Sequence, residues 1–89
     1  MKSFHSNRFG MDVVLTRHAV ESMEKRNVNL EILQEVLELG EIKHRAGSDM
    51  WVFKHIAGRA DNLICAAVVV ENVMVVKTVM INWELEDES

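Results

Sequence analysis

A side chain that can take a proton, beside cations that can balance the charge of a phosphate, is the minimum for phosphoryl chemistry. The residues of this 89-residue chain that suit such work are few. His18 falls in the first turn of a predicted helix, beside Arg17. The positive helix end and a neighbouring cation both disfavour imidazolium, and a neutral ring can accept a proton. The alternative is that His18 packs or hydrogen-bonds where the helix meets a sheet. Arg26 lies eight residues on, about two turns, and so on roughly the same helix face; its fork of donors matches phosphate oxygens. Lys77 interrupts an apolar strand. It would complete a catalytic set with His18 and Arg26 if it points to an open face, or act as a strand-edge charge if it does not.

Arg17, Lys54, His55 and Arg59 form a second, RNA-binding set. Arg17 either meets phosphate or pairs with Glu21 or Glu24. Strand alternation places His55 with Trp51 and Phe53, a face that would suit base stacking or would equally serve as core with a histidine at its rim. A metal centre is not expected, because no two histidines stand at helical i, i+4 spacing and none is joined to a nearby cysteine. The one cysteine, Cys65, sits in an apolar strand and reads as an inert thiol. No cofactor motif is visible.

These residues need elements to place them. Thr16 is a suitable N-cap for a helix over 17–26, with Leu15, Ala19 and Met23 at helical spacing. Asn27 suits a left-handed helix end. Asn29 caps a second helix over 30–39, whose apolar residues form a broad face, and Gly40 stops it. The two helices make an αα-hairpin. Strands follow over 41–45, 50–56, 63–70 and 73–83, parted by turn-rich stretches, with Glu71 and Asn72 as a tight gap. Met11 to Leu15 is a short strand or an extended lead. The expected architecture is α+β, with an N-terminal αα-hairpin packed on a four-stranded antiparallel sheet. Residues 1–10 read as a flexible segment, 11–83 as a single domain, and 84–89 as an acidic tail.

The stretch Leu15-Thr-Arg-His-Ala-Val-Glu-Ser-Met-Glu-Lys-Arg-Asn-Val resembles the opening helix of a small uncharacterised bacterial domain family related to RelE-like and BrnT-like RNase toxins. His18, Ala19, Met23 and Arg26 carry the likeness, and Val75 to Val79 is similar to that family's closing strand. The resemblance spans roughly residues 14–81. It implies a RelE-like layout, RNA phosphodiester cleavage without a metal or cofactor, RNA or the ribosome as target, and an antitoxin as a partner.

Charge bears on this reading. The net charge is -4, from ten Lys and Arg against fourteen Asp and Glu, which does not favour a surface-wide polyanion site. The acid is segregated, however. Residues 30–41 hold four glutamates and no base, and 84–89 hold four acids, whereas 1–29 hold five bases and three acids. Every candidate above lies outside the acidic segments. A non-catalytic module is the competing reading, associating with itself or a partner through an exposed valine-rich edge strand. A small-ligand site between helices and sheet is a third. The longest apolar run, Leu63 to Val70, is too short to span a bilayer, and no secretory signal is visible, so a soluble cytoplasmic protein with no membrane partner is expected.

Overall fold

The computed structural model describes residues 3–84. Its elements are β1 (Ser3–Ser6), β2 (Met11–Leu15), α1 (Arg17–Lys25), α2 (Leu30–Leu39), β3 (Glu41–His44), β4 (Asp49–Lys54), β5 (Leu63–Val70) and β6 (Met74–Trp83). The α+β class holds, but the four-stranded antiparallel sheet does not. One six-stranded mixed sheet runs β1-β2-β6-β5-β4-β3. The antiparallel meander from β3 to β6 is present. Beyond it, β2 pairs with β6 in parallel, Val13 opposite Met74, and β1 folds back antiparallel on β2.

The segment expected to be a flexible lead is therefore a strand from Ser3 to Ser6 and the turn after it. Its four residues show no apolar alternation, and only Phe4 reaches the core. Polar contacts hold it instead. The Glu38 carboxylate on α2 accepts from the Ser6 hydroxyl and from the backbone N–H groups of Asn7 and Arg8 at 2.9 and 3.1 Å. Arg8 Nη1 donates to the carbonyls of Leu37 and Gly40, at 3.0 and 2.7 Å. These are carbonyls that a helix end leaves without intrahelical partners. The β1–β2 turn thus clasps the C-terminus of α2.

The helices start where side chains can satisfy free amides. Thr16 Oγ1 accepts from Ala19 N at 3.0 Å, and Asn29 Oδ1 accepts from Ile32 N at 2.9 Å. Asn27 takes φ 58°, the left-handed position between the helices. Gly40 is required for a different reason. Its backbone is extended, but a Cβ there would lie 2.4 Å from the Val36 carbonyl oxygen and 2.6 Å from that of Phe53. Only glycine lets α2 turn so tightly into β3 against β4.

Both helices cover one face of the sheet. Val13, Leu15, Val52, Ile64, Ala66, Met74, Val76 and Val79 meet Ala19, Met23, Leu33, Val36 and Leu37 in a single core. Phe53 and Cys65 are also buried but stand apart from that core, on the opposite face. No helix among the described residues is long and apolar enough to cross a membrane.

Candidate functional site

Thr16, Ala19 and Ser22 solve a local sheet problem. β2 accompanies β6 only as far as Leu15 opposite Val76, yet β6 runs on to Trp83. Its outer edge would otherwise show bare amides and carbonyls. α1 lies along that edge. Thr16 N donates to Val76 O at 3.1 Å, and Thr16 Oγ1 donates to Lys77 O at 3.1 Å. Nearly two turns on from Thr16, Ser22 Oγ accepts from Val79 N at 3.1 Å and donates to Ala19 O at 2.8 Å. Ala19, fully buried, is small enough to let the helix come this close. Thr16, Ala19 and Ser22 follow at intervals of three and so share a helix side.

This docking decides where the candidate catalytic residues go. Because Thr16 is bonded to Lys77, the next two residues, Arg17 and His18, emerge beside the Lys77 position. All three side chains are exposed. Arg17 is 93% exposed and makes only an i, i+4 pair with Glu21 at 3.3 Å, a contact of little strength in water. His18 and Lys77 have no side-chain partner among the described residues. The first turn of α1 carries no acidic residue, so its free N–H groups and positive end add to the corner's attraction for an anion.

A β-bulge determines where Lys77 points. The β5–β6 register slips between Ala67 and Val68. Val76 and Val79, three residues apart, are both fully buried against the helices. Lys77 and Thr78 therefore both turn away from the core, Lys77 exposed and Thr78 half-buried.

The remaining candidates lie elsewhere. Arg26 is at the far end of α1, roughly 12 Å from His18 along the helix at 1.5 Å per residue, so the structure does not unite it with His18 and Lys77. Arg59 is occupied. It chelates Asp61 at 2.9, 3.2 and 2.6 Å and caps the carbonyls of Asn27 and Arg26 at 2.7 and 3.1 Å. The hydrogen bond from Arg59 holds the Asp61 carboxyl below its ordinary range, against the opposing effect of burial. The pair pins the β4–β5 loop to the turn between the helices. Lys54 donates to Glu35 on α2 at 2.8 Å, and His55 beside it is exposed at the end of β4.

Strand register separates Trp51 and Phe53 from these cations. Trp51 is opposite Ala67 and Phe53 opposite Cys65, all on the helix-free face. Trp83 joins them, with ring centroids 5.1 Å from Trp51 and 4.9 Å from Phe53. Arg45 lies over Trp51, 4.5 Å from its ring centre. Trp83 and Arg45 were not among the expected site residues. Trp83 shares this face only because the chain shifts at Asn82, where φ is 52°. Cys65 is fully covered there, and burial pushes its thiol up to about 12, which removes it as a nucleophile at neutral pH.

The valine-rich strands expected to offer an edge are internal. β5 lies between β6 and β4, and β6 between β5 and β2. The true edges, β1 and β3, are four residues each, too short to make good templates for strand addition. A cleft of about 240 Å³ does open between the helices, lined by Val20, Met23, Glu24, Asn27, Val28 and Leu30 among others; it is smaller than ordinary ligand sites.

No family model, curated protein or solved structure matches the chain.

Proposed function

We propose that the domain engages single-stranded RNA at the corner where α1 leaves the sheet, and that it works as an RNase-toxin-like domain. In this reading the scissile phosphate sits against Arg17, Lys77 and the free amides of α1. His18 takes the proton of the adjacent 2′-hydroxyl, the oxygen attacks phosphorus, and the P–O5′ bond breaks with the 5′-oxygen taking its proton from water. The products are a 2′,3′-cyclic phosphate and a 5′-hydroxyl. Arg26 is too far along α1 to share that phosphate and would meet a neighbouring one. The observation that carries the reading is the pair of Thr16 bonds to β6. They hold the backbone of β6 at Lys77 against the N-cap of α1, whose first two residues, Arg17 and His18, are exposed, and its first turn carries no acid. Eight of the fourteen acidic residues lie in 30–41 and 84–89, and the one acid that contacts the corner among the described residues, Glu21, is held to Arg17 by an exposed pair that water weakens.

The test is cleavage of a short RNA by purified protein, alone and with ribosomes. Wild type should give cyclic-phosphate ends, and a substrate with a single 2′-deoxy position should resist at that bond. His18→Ala should lose cleavage by about 10²-fold or more, the contribution of a general base, while retaining binding. RNA left intact by wild type in both settings would defeat the catalytic reading.

A further inference from the structure

We propose that the helix-free face of the sheet is a self-association surface, which pairs with the same face of a second copy of this chain. This inference is independent of RNA cleavage at the α1 corner.

The face is apolar across the four central strands. Val14 of β2, Val75 and Met80 of β6, Val69 of β5 and Trp51 of β4 are all half-buried, and no element among the described residues is laid over them. Contiguous apolar surface of this kind on a soluble domain marks an interaction site. Its centre is low, because Ala67 of β5 stands opposite Thr78 of β6, while Trp51 and Trp83 rise on one side. A second copy related by a two-fold axis offset from Ala67 would lay its tryptophan side into this low centre, and receive the same in return.

The rim selects the partner. At the β3–β4 end, register puts Glu41 beside Phe53, Lys43 beside Trp51 and Asp49 beside Val69, and Arg45 lies on Trp51. Two cations thus stand with two acids. At the other end His5 and Asp12 pair at 3.0 Å. A rim of mixed sign offers a polyanion little net attraction. It does match a two-fold contact, in which the same patch meets itself and each cation can face a partner's acid.

The size sets the strength. Six strands about 4.8 Å apart and some six residues deep make a face of roughly 500 Å² in projection. That is at the small end of stable interfaces, so the dimer should be weak and seen in a micromolar concentration series. The probe is built in, since the chain has two tryptophans and both lie on this face.

The experiment combines light scattering or sedimentation with tryptophan emission over a dilution series of the full chain. The expected result is a monomer–dimer equilibrium whose emission shifts to the blue as dimer forms. Ala67→Arg should weaken association by about 100-fold or more by burying an unpaired charge at the centre. Trp51→Glu provides a second disruption should Ala67→Arg unfold, with circular dichroism as the control on folding. A chain that stays monomeric at high concentration would overturn the proposal. So would a dimer that neither disrupting variant weakens. Emission that shifts with oligonucleotide but not with protein concentration would assign the face to RNA instead.

Discussion

His18 and Ser22 stand four residues apart on one helix and have opposite relations to the fold. His18 is exposed and has no partner among the described residues, so nothing in the packing accounts for it. His18→Ala should leave stability within about 0.5 kcal/mol of wild type, and a thermal melt should overlay while any RNA cleavage is lost. Ser22 is buried and bridges Ala19 O to Val79 N. Ser22→Ala strands a buried N–H of β6, at a cost of about 1–3 kcal/mol, readable as a lowered denaturant midpoint. The sequence singles out His18 as a candidate base and gives no reason to single out Ser22 in the same stretch. Helical periodicity marks which side a residue occupies, but it does not report that the helix will lie along a strand whose amides need a hydroxyl. The same blindness applied to Arg59. A guanidinium between turn residues suggests phosphate, and only the approach of Asp61 and of the turn carbonyls at Asn27 and Arg26 shows it to be a clamp.

At the scale of elements, caps and periodicity predicted α1 to within a residue of its observed end and α2 at its observed limits, since Thr16, Asn27, Asn29 and Gly40 act within a few residues of themselves. Gly40 exceeds its expected role as a stop. Gly40→Ala would drive a Cβ into two backbone carbonyls, and neither can retreat without moving α2 or β4. A loss of about 1–3 kcal/mol is expected, whereas Gly47→Ala, with open space around it but φ 63°, should cost only about 1 kcal/mol from backbone strain. Comparison of the two melts separates collision from conformational strain. β1 escaped notice because polar contacts, not an apolar stripe, hold it, and its anchor Glu38 is 32 residues away from Ser6.

For the whole molecule, two carboxylates link folding to pH. Burial of Glu38 alone would raise its pKa, but the Ser6 hydroxyl, the amides of Arg8 and Asn7 and the Arg8 charge together hold it below its ordinary value. Asp61 is lowered by Arg59. A carboxylate lowered in the folded state adds stability above its unfolded pKa, and that stability is lost as pH falls through the folded pKa. Acid should therefore destabilise the protein once pH drops below the ordinary carboxylate range. Glu38→Gln should flatten part of that decline in a pH series of melting temperatures, and amide exchange in β1 should rise first, since Glu38 anchors it. The clasp and the Arg59 clamp sit at separate places, one at the C-terminus of α2 and one at the turn between the helices, so the effects of the two carboxylates should add.

The sequence by itself determined both helices, their caps, the four strands of the meander and the segregation of acid into α2 and the C-terminal stretch. Each is written in neighbouring residues, as a period, a cap or a local charge run. Tertiary structure alone decided that β2 would pair with β6 about sixty residues away, that α1 would seal the remaining edge, and that Lys77 would turn outward with Thr78 at a bulge. It also decided that both tryptophans would share the uncovered face. Pairing across such distances depends on which surfaces are left to bury and which backbone groups are left to satisfy, and neither is defined until the elements have met.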